Sequence, residues 1–403
     1  MASPSSSPVG GACARRRRHM CEIVVLTWMC APTESTTISN SMPRMTTDGR
    51  IVDAHDGNVV RRGDTYYMFG EYFGDGNFVV ANNTRHPKLA VYTSKDLLLW
   101  EFRGLLHNNS GREHWAASGH WPDFPAGAWY SPSAVWSEVR QKFVLWWTAS
   151  PAECCSAKWG VAESSDGVHF DLISLNRTAS IQTSLDGSAL LVDDDGRGYV
   201  AYSAMNASGM RDHTVFIDRL APDLLSSAGE AVARFPDSFV EGAMLFKRRG
   251  RYYVLYGSCC CACKQGSGVV VHSAPSIRGP WTRQAADLNC KLGVPICAGM
   301  AARPSLHRPQ GGLLVAAQGI GLSVLPLASN ESAYIWHGQR WLSAPHAPPR
   351  CTSLCHAARG ECAQPADFAP GRDFDYWKLL EFDEYGRIRP FGQFVDEFKL
   401  DLR

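Results

Sequence analysis

Gly250-Arg251-Tyr252-Tyr253-Val254-Leu255-Tyr256 reads as a tight turn running into an aromatic, β-branched strand. The same signature recurs at Gly63-Asp64-Thr65-Tyr66-Tyr67-Met68-Phe69, Gln141-Lys142-Phe143-Val144-Leu145-Trp146-Trp147, Gly196-Arg197-Gly198-Tyr199-Val200-Ala201-Tyr202 and Gly311-Gly312-Leu313-Leu314-Val315-Ala316-Ala317. A second strand follows each, at Leu89–Thr93, Trp159–Ala162, His213–Ile217, Gly268–His272 and Leu322–Leu325. Three of these then enter a turn and a closing aromatic: Ser94 to Trp100, Ser164 to Phe170 and Pro275 to Trp281. Five such units with no helical periodicity between them predict an all-β, five-bladed β-propeller. A β-sandwich lacks a fixed multi-strand repeat. From Tyr334 onward the chain starts no sixth unit. Tyr334-Ile335-Trp336, Tyr376–Leu379 and Phe394-Val395 are expected to complete the last blade.

Composition agrees. The chain has 403 residues, 36 Gly, 13 Trp, 13 Tyr and 17 Phe, and a net charge of +1. That length buries a large core. The near-neutral charge argues against a nucleic-acid partner, which needs a basic excess. No stretch approaches the roughly 20 apolar residues of a spanning helix. The organisation expected is a signal-like leader and disordered segment over 1–45. One catalytic propeller follows over 46–403, with a cysteine-containing insertion near 345–372.

Fourteen cysteines, eleven of them after residue 150, cluster at Cys154-Cys155, Cys259-Cys260-Cys261 with Cys263, and Cys351, Cys355 and Cys362. The paired spacing of a zinc site is absent, so disulfides are expected and no metal or other cofactor. Arg15–Arg18 followed by the short apolar run Ile23–Ala31 has the order of a secretory signal. Sequons at Asn82, Asn108, Asn176, Asn206 and Asn330 suit a glycoprotein. A secreted or secretory-lumen monomer is expected.

In a propeller the inner strands ring a central channel, where acidic residues from distant positions converge. Asp56 lies one short strand ahead of the first hairpin, and Glu241 lies one strand ahead of the fourth. A carboxylate in an apolar inner strand either faces the channel or finds a partner. Two carboxylates on one cleft are what glycoside hydrolysis uses: one protonates the leaving oxygen and the other activates water. Trp115, Trp121 and Trp129 offer aromatic platforms for sugar rings, or core packing. Asp193–Asp195 lacks the spacing of a calcium loop and reads as a hairpin turn.

From Gly49 on, the chain resembles glycoside hydrolase family 43. The residues that carry the resemblance are His55-Asp56-Gly57 with Gly63–Tyr67, Tyr92–Leu97 with Trp100, Asp193–Gly196, Val240-Glu241-Gly242 with Tyr252-Tyr253, and Gly279-Pro280-Trp281. The resemblance implies a five-bladed propeller and inverting hydrolysis of a galactan- or arabinan-type polysaccharide or oligosaccharide. Glu241 would be the general acid and Asp56 the base.

Within the family, Ala54-His55, Phe69-Gly70-Glu71, Gln318, Ser323–Leu327, Tyr334–Trp336 and Arg340-Trp341 look most like the exo-β-1,3-galactanase group. There a glutamine matching Gln318 stands in for the base. Candidate substrate-binding residues are His55, Glu71, Trp129, Tyr130 and Arg340. The family tunes its acid with a blade-two carboxylate, but Trp129–Val135 carries none. Another group must therefore tune Glu241. The alternative is a carbohydrate-binding propeller that has lost catalysis. The inverting mechanism implies carboxyl groups ~6.5–9.5 Å apart.

Overall fold

The computed structural model describes residues 35–74, 88–106, 128–150, 157–181, 184–206, 209–259, 262–291, 312–347, 351 and 369–403. The leader, Trp115, Trp121, Cys154-Cys155, Cys355, Cys362 and the sequons at Asn82 and Asn108 lie outside them. Among the described residues helix is limited to one short 3-10 turn, Pro370–Arg372, and the single residue Leu106. Among the described residues no helix is long and apolar enough to cross a membrane.

The first strand among the described residues is β1 (Thr36–Ser39). Blade one holds β2 (Met45–Thr46), β3 (His55–Arg62), β4 (Thr65–Tyr72), β5 (Lys88–Ser94) and β6 (Leu99–Leu105). Blade two holds β7 (Ala128–Ser137), β8 (Lys142–Ser150), β9 (Lys158–Ser164) and β10 (Asp171–Arg177). Blade three holds β11 (Ser184–Val192), β12 (Gly198–Asn206), β13 (Gly209–Leu220) and β14 (Ser227–Arg234). Blade four holds β15 (Val240–Arg248), β16 (Arg251–Ser258), β17 (Val270–Ala274) and β18 (Thr282–Arg283). Blade five holds β19 (Gln318–Pro326), β20 (Ser332–Arg340) and β21 (Phe374–Leu379). The last strand, β22 (Glu397–Leu400), pairs antiparallel with β1.

The first long strand of each blade touches that of the next, in the ring β3, β7, β11, β15, β19 and back to β3. The expected five-bladed β-propeller is what forms. Its hydrophobic core lies between blades. Strand β8 shows why. Phe143, Leu145 and Trp147 pack with Phe69 and Val91 of blade one. The alternate residues Val144 and Trp146 pack with Val200 and Tyr202 of blade three. Side chains on a strand point to opposite faces with period two, so an unbroken apolar run feeds both neighbouring cores. Strand β16 repeats the device, with Val254 and Tyr256 toward blade three and Tyr253 and Leu255 toward blade five. Val59 and Met68 meet Leu325, Ile335 and Trp377 where blade five closes on blade one.

The fifth repeat differs from its sequence reading. Gly311–Ala317 was expected to be the hairpin strand, but its described residues form no long strand. Val315 and Ala317 fill the core between blades four and five. Val315 also exchanges hydrogen bonds with the Asn289 side chain, donating to Oδ1 at 2.8 Å and accepting from Nδ2 at 2.8 Å. The true counterpart of the Tyr-Tyr strands is β20, which carries Tyr334-Ile335-Trp336. Leu322–Leu325 is part of the inner strand β19. Two glycines ahead of an apolar run imitate a hairpin, and strand pairing at long range decides otherwise.

Candidate active site

Every inner strand carries a register irregularity near its start. The shifts fall at His55/Asn58, Tyr130/Ser133, Asp186/Ala189, Glu241/Met244 and Gly319/Gly321. A β-bulge leaves extra residues unpaired and re-aims the side chains around them. Asp56, Ser131, Gly187 and Gly242 each take positive φ at this point: 55°, 48°, 76° and 67°. Gly242 has a second constraint, since a Cβ there would sit 2.2 Å from the Gly319 carbonyl oxygen. The inner strands start at one end of the ring, so the five bulges cluster on one face. Below them a narrow channel is lined by Gly57, Ser131, Ser188, Ala243, Ile320 and their neighbours, drawn from all five blades.

Around these bulges the structure gathers Asp56, Glu71, Asp186, Glu241 and Gln318. Gln318 Nε2–H donates to Glu241 Oε1 at 2.7 Å, and Trp341 Nε1–H donates to Gln318 Oε1 at 2.7 Å. The indole thereby fixes which end of the amide faces Glu241. Glu241 is 9% exposed and Gln318 is 4% exposed. Glu71 is buried, and its Oε1 accepts the Ser131 N–H at 2.7 Å. Burial, with Asp186 and Asp53 adding negative charge, pushes the Glu71 carboxyl up to about 8, although the Ser131 N–H favours the anion.

Asp56 is also buried, and its Oδ1 has no hydrogen-bond partner. Burial and then the neighbouring Glu71 raise its pKa well above the usual carboxylate range. By strand register and by φ, Asp56 matches Gly187 and Gly242. His55 matches Asp186 and Glu241. The Asp56 carboxyl therefore leaves the backbone one residue later than its counterparts.

Asp186 was missed by the sequence reading. It sits on β11 with its carboxyl raised by burial, while His213 and the Gly187 N–H act the other way. Its charge reaches Glu71, Asp56, His213 and Cys259. The signal was present: Asp56-Gly57, Asp186-Gly187 and Glu241-Gly242 are acidic-Gly pairs, each one strand ahead of a hairpin. In blade two the register position of Asp186 and Glu241 is held by Tyr130. Burial, Glu71 and Asp186 raise the Tyr130 phenol above its ordinary value.

The other expected binding residues are placed as follows. His55 is 2% exposed, 3.1 Å from Asp53 Oδ1, and its Nδ1 lies 2.9 Å from Gln339 Oε1. Burial opposes its charge, but Asp53, Asp375 and Asp373 raise its pKa to about 10, so it is an internal cation beside the carboxylates. Trp129 packs on Trp147 at 5.1 Å between blades one and two. Arg340 lies 5.8 Å over the Phe394 ring. Asp193 binds Lys247 and the Tyr252 hydroxyl across blades, in keeping with a structural turn.

A sequence profile described as glycosyl hydrolases family 43 matches residues 51–288. No curated protein matches the chain by sequence. Among solved structures, a family 43 β-1,3-galactosidase superposes with a TM-score of 0.63 at 19% identity, covering 91% of this chain and 64% of that one. The exo-β-1,3-galactanase of Clostridium thermocellum gives 0.62 at 19% identity, covering 91% and 68%. The exo-β-1,3-galactanase of Phanerochaete chrysosporium, with galactose, gives 0.61 at 18% identity, covering 91% and 69%. The chain thus spans just under two thirds of the galactosidase, and at these identities the likeness is one of fold. The profile covers more than half of the 403 residues, and with it the inner strands of blades one to four: the chain belongs to family 43 of the glycosyl hydrolases.

Proposed function

We propose that the protein is an inverting glycosidase acting on a galactan- or arabinan-type chain, with β-1,3-linked galactan the first substrate to try. The observation that carries this reading is the hydrogen-bonded row Trp341–Gln318–Glu241 set among Asp56, Glu71 and Asp186. Glu241 is the general acid. A proton donor to a leaving oxygen needs an environment that disfavours its anion; burial works in that direction, while the Gln318 N–H works against it. Asp186 takes the tuning role that blade two leaves open, and Gln318 holds the Glu241 carboxyl in one orientation. Asp56 is the base: desolvation raises its basicity, and its Oδ1 has no partner competing for the proton of an attacking water. A site holding both roles favours turnover over sugar binding alone.

The galactan assignment draws support from the galactosidase and galactanase neighbours. Secretion draws support from Cys290 and Cys351, which are disulfide-bonded, and from the exposed sequon residues Asn176 and Asn330. The test is hydrolysis of β-1,3-galactan, arabinan and xylan, with the first-formed anomer read by NMR. An α-anomer released from a β-linked chain is expected, and activity lost in Glu241→Gln. Unchanged activity in that variant refutes the acid assignment. Retained configuration refutes inversion, and sugar binding without turnover favours the binding propeller.

A further inference from the structure

One cluster beside the carboxylates combines three metal-ligand chemistries. His213 on β13, Glu241 on β15 and Cys259, which follows β16, place a ring nitrogen, a carboxylate oxygen and Sγ all within 4.8 Å of one another. His213 Nδ1 lies 2.7 Å from Cys259 Sγ. We propose that these three residues form a binding site for a thiophilic divalent cation of the zinc type, with Cys259 as thiolate, His213 as imidazole and Glu241 as carboxylate.

The donor set is the first argument. Sulfur, nitrogen and oxygen from three side chains, with a fourth position left for water, is an arrangement zinc accepts and hard cations such as calcium do not favour. The histidine is the second. His213 is 4% exposed, and its Nε2 is buried without a hydrogen-bond partner. Its Nδ1, the nitrogen that faces Cys259 Sγ, is the ligand atom, and Nε2 on the far side of the ring holds no hydrogen bond that would fix the ring otherwise. The local field is the third. Asp186 acts electrostatically on both His213 and Cys259, as does Glu241 on Cys259, so a dication enters a negative potential. Cys259 keeps partial exposure, so the site is reachable from solvent.

On binding, the metal–sulfur bond forms as the Cys259 thiol releases its proton to solvent. One Glu241 oxygen becomes a ligand. No redox partner is required. If Glu241 is the general acid, a bound cation withholds it from the leaving oxygen and hydrolysis stops. That consequence rests on the function proposed above, whereas the site itself does not. Sequence inspection finds no zinc spacing because the ligands come from blade three, blade four and the segment after β16.

The test is titration of the full chain with Co2+ and Zn2+. One equivalent of Co2+ should give a sulfur-to-metal charge-transfer band in the near ultraviolet, displaced by Zn2+. Cys259→Ser should lose the band, and His213→Ala should weaken binding at least tenfold, with circular dichroism confirming the fold. A band retained in Cys259→Ser, or no binding below millimolar Co2+, overturns the proposal. A measurement without variants supports it independently: one equivalent of Zn2+ should slow alkylation of Cys259, read by peptide mass spectrometry, at least tenfold. Unchanged alkylation overturns the proposal. In an active chain, Zn2+ should inhibit hydrolysis at a concentration at least tenfold lower than in Cys259→Ser. An inactive chain that still shows the cobalt band refutes the hydrolase reading and leaves the metal site standing.

Discussion

Trp341→Phe isolates the hydrogen bond that orients the Gln318 amide. The indole Nε1–H donates to Gln318 Oε1 at 2.7 Å, and Gln318 Nε2–H donates to Glu241 Oε1 at 2.7 Å. Trp341 is 5% exposed and meets Phe73 edge-on at 5.9 Å, so phenylalanine keeps much of the apolar contact while losing the donor. Removing the donor to a buried acceptor costs about 1–3 kcal/mol. Part of that cost falls on stability. The rest appears at the site, because an amide free to rotate turns its oxygen toward the Glu241 carboxylate for part of the time. A loss of about 1.5 kcal/mol there lowers kcat/KM about tenfold. The assay is kcat and KM on a β-1,3-galactan oligomer, with an unfolding curve measured in parallel. The fall should lie mainly in kcat, because the amide orients the acid. If kcat/KM stays within twofold of the parent and the unfolding midpoint does not move, the relay from Trp341 to Glu241 is wrong.

Asp186→Asn should lower kcat about 10²-fold with a smaller change in KM, and should shift the alkaline limb of the pH–rate profile, where the general acid loses its proton; an unaltered profile removes Asp186 from the role of tuning Glu241. Glu71, pushed up to about 8 from an ordinary 4.5, lets the folded chain hold more protons than the unfolded one between those values, so stability falls as pH rises through that window. Glu71→Gln should flatten the fall in melting temperature between pH 5 and pH 8. The His55 contribution, from 6.5 to about 10, has the same sign and should remain in the variant; an unchanged slope across pH 5–8 refutes the Glu71 assignment. Gly242→Ala should destabilise by about 3 kcal/mol or more in denaturant unfolding, because φ is +67° and the new methyl meets the Gly319 carbonyl oxygen. A loss below 1 kcal/mol would show that the inner strands can part.

Four of the five blades are legible because one strand in each has to fill two cores. Phe143 to Trp147 and Tyr252 to Tyr256 announce this by being apolar at every step. The fifth blade misleads because its second strand, β20, carries its aromatics without a glycine turn ahead of them, while Gly311-Gly312 supplies such a turn where no long strand forms. Glu241 and Asp56 are legible as acids inside apolar runs. Asp186 carries the same local sign, an acid followed by glycine one strand ahead of a hairpin, but its run Ser184–Val192 is less apolar around the acid than Val240–Phe246, so the sign is weaker there. The grouping of His213 and Cys259 with Glu241, and the bond from Trp341 to Gln318, could not be found from sequence. Both depend on how neighbouring blades lean together and on segments that follow a strand, and no local pattern encodes that.

The five register irregularities also bear on how such a site can change. Each is an independent socket: the ladder on either side is already interrupted there, so its occupant answers to the channel more than to the sheet. Tyr130 in blade two and Gln318 in blade five occupy places where blades three and four present acids, and the five inner strands still form a closed ring. Chemistry can therefore be rewritten one blade at a time, with the cores between blades left as they are. The fold acts as a holder for five side chains whose identities are almost free variables, and the constraint passes from each residue singly to the total charge that a buried ring of them can carry.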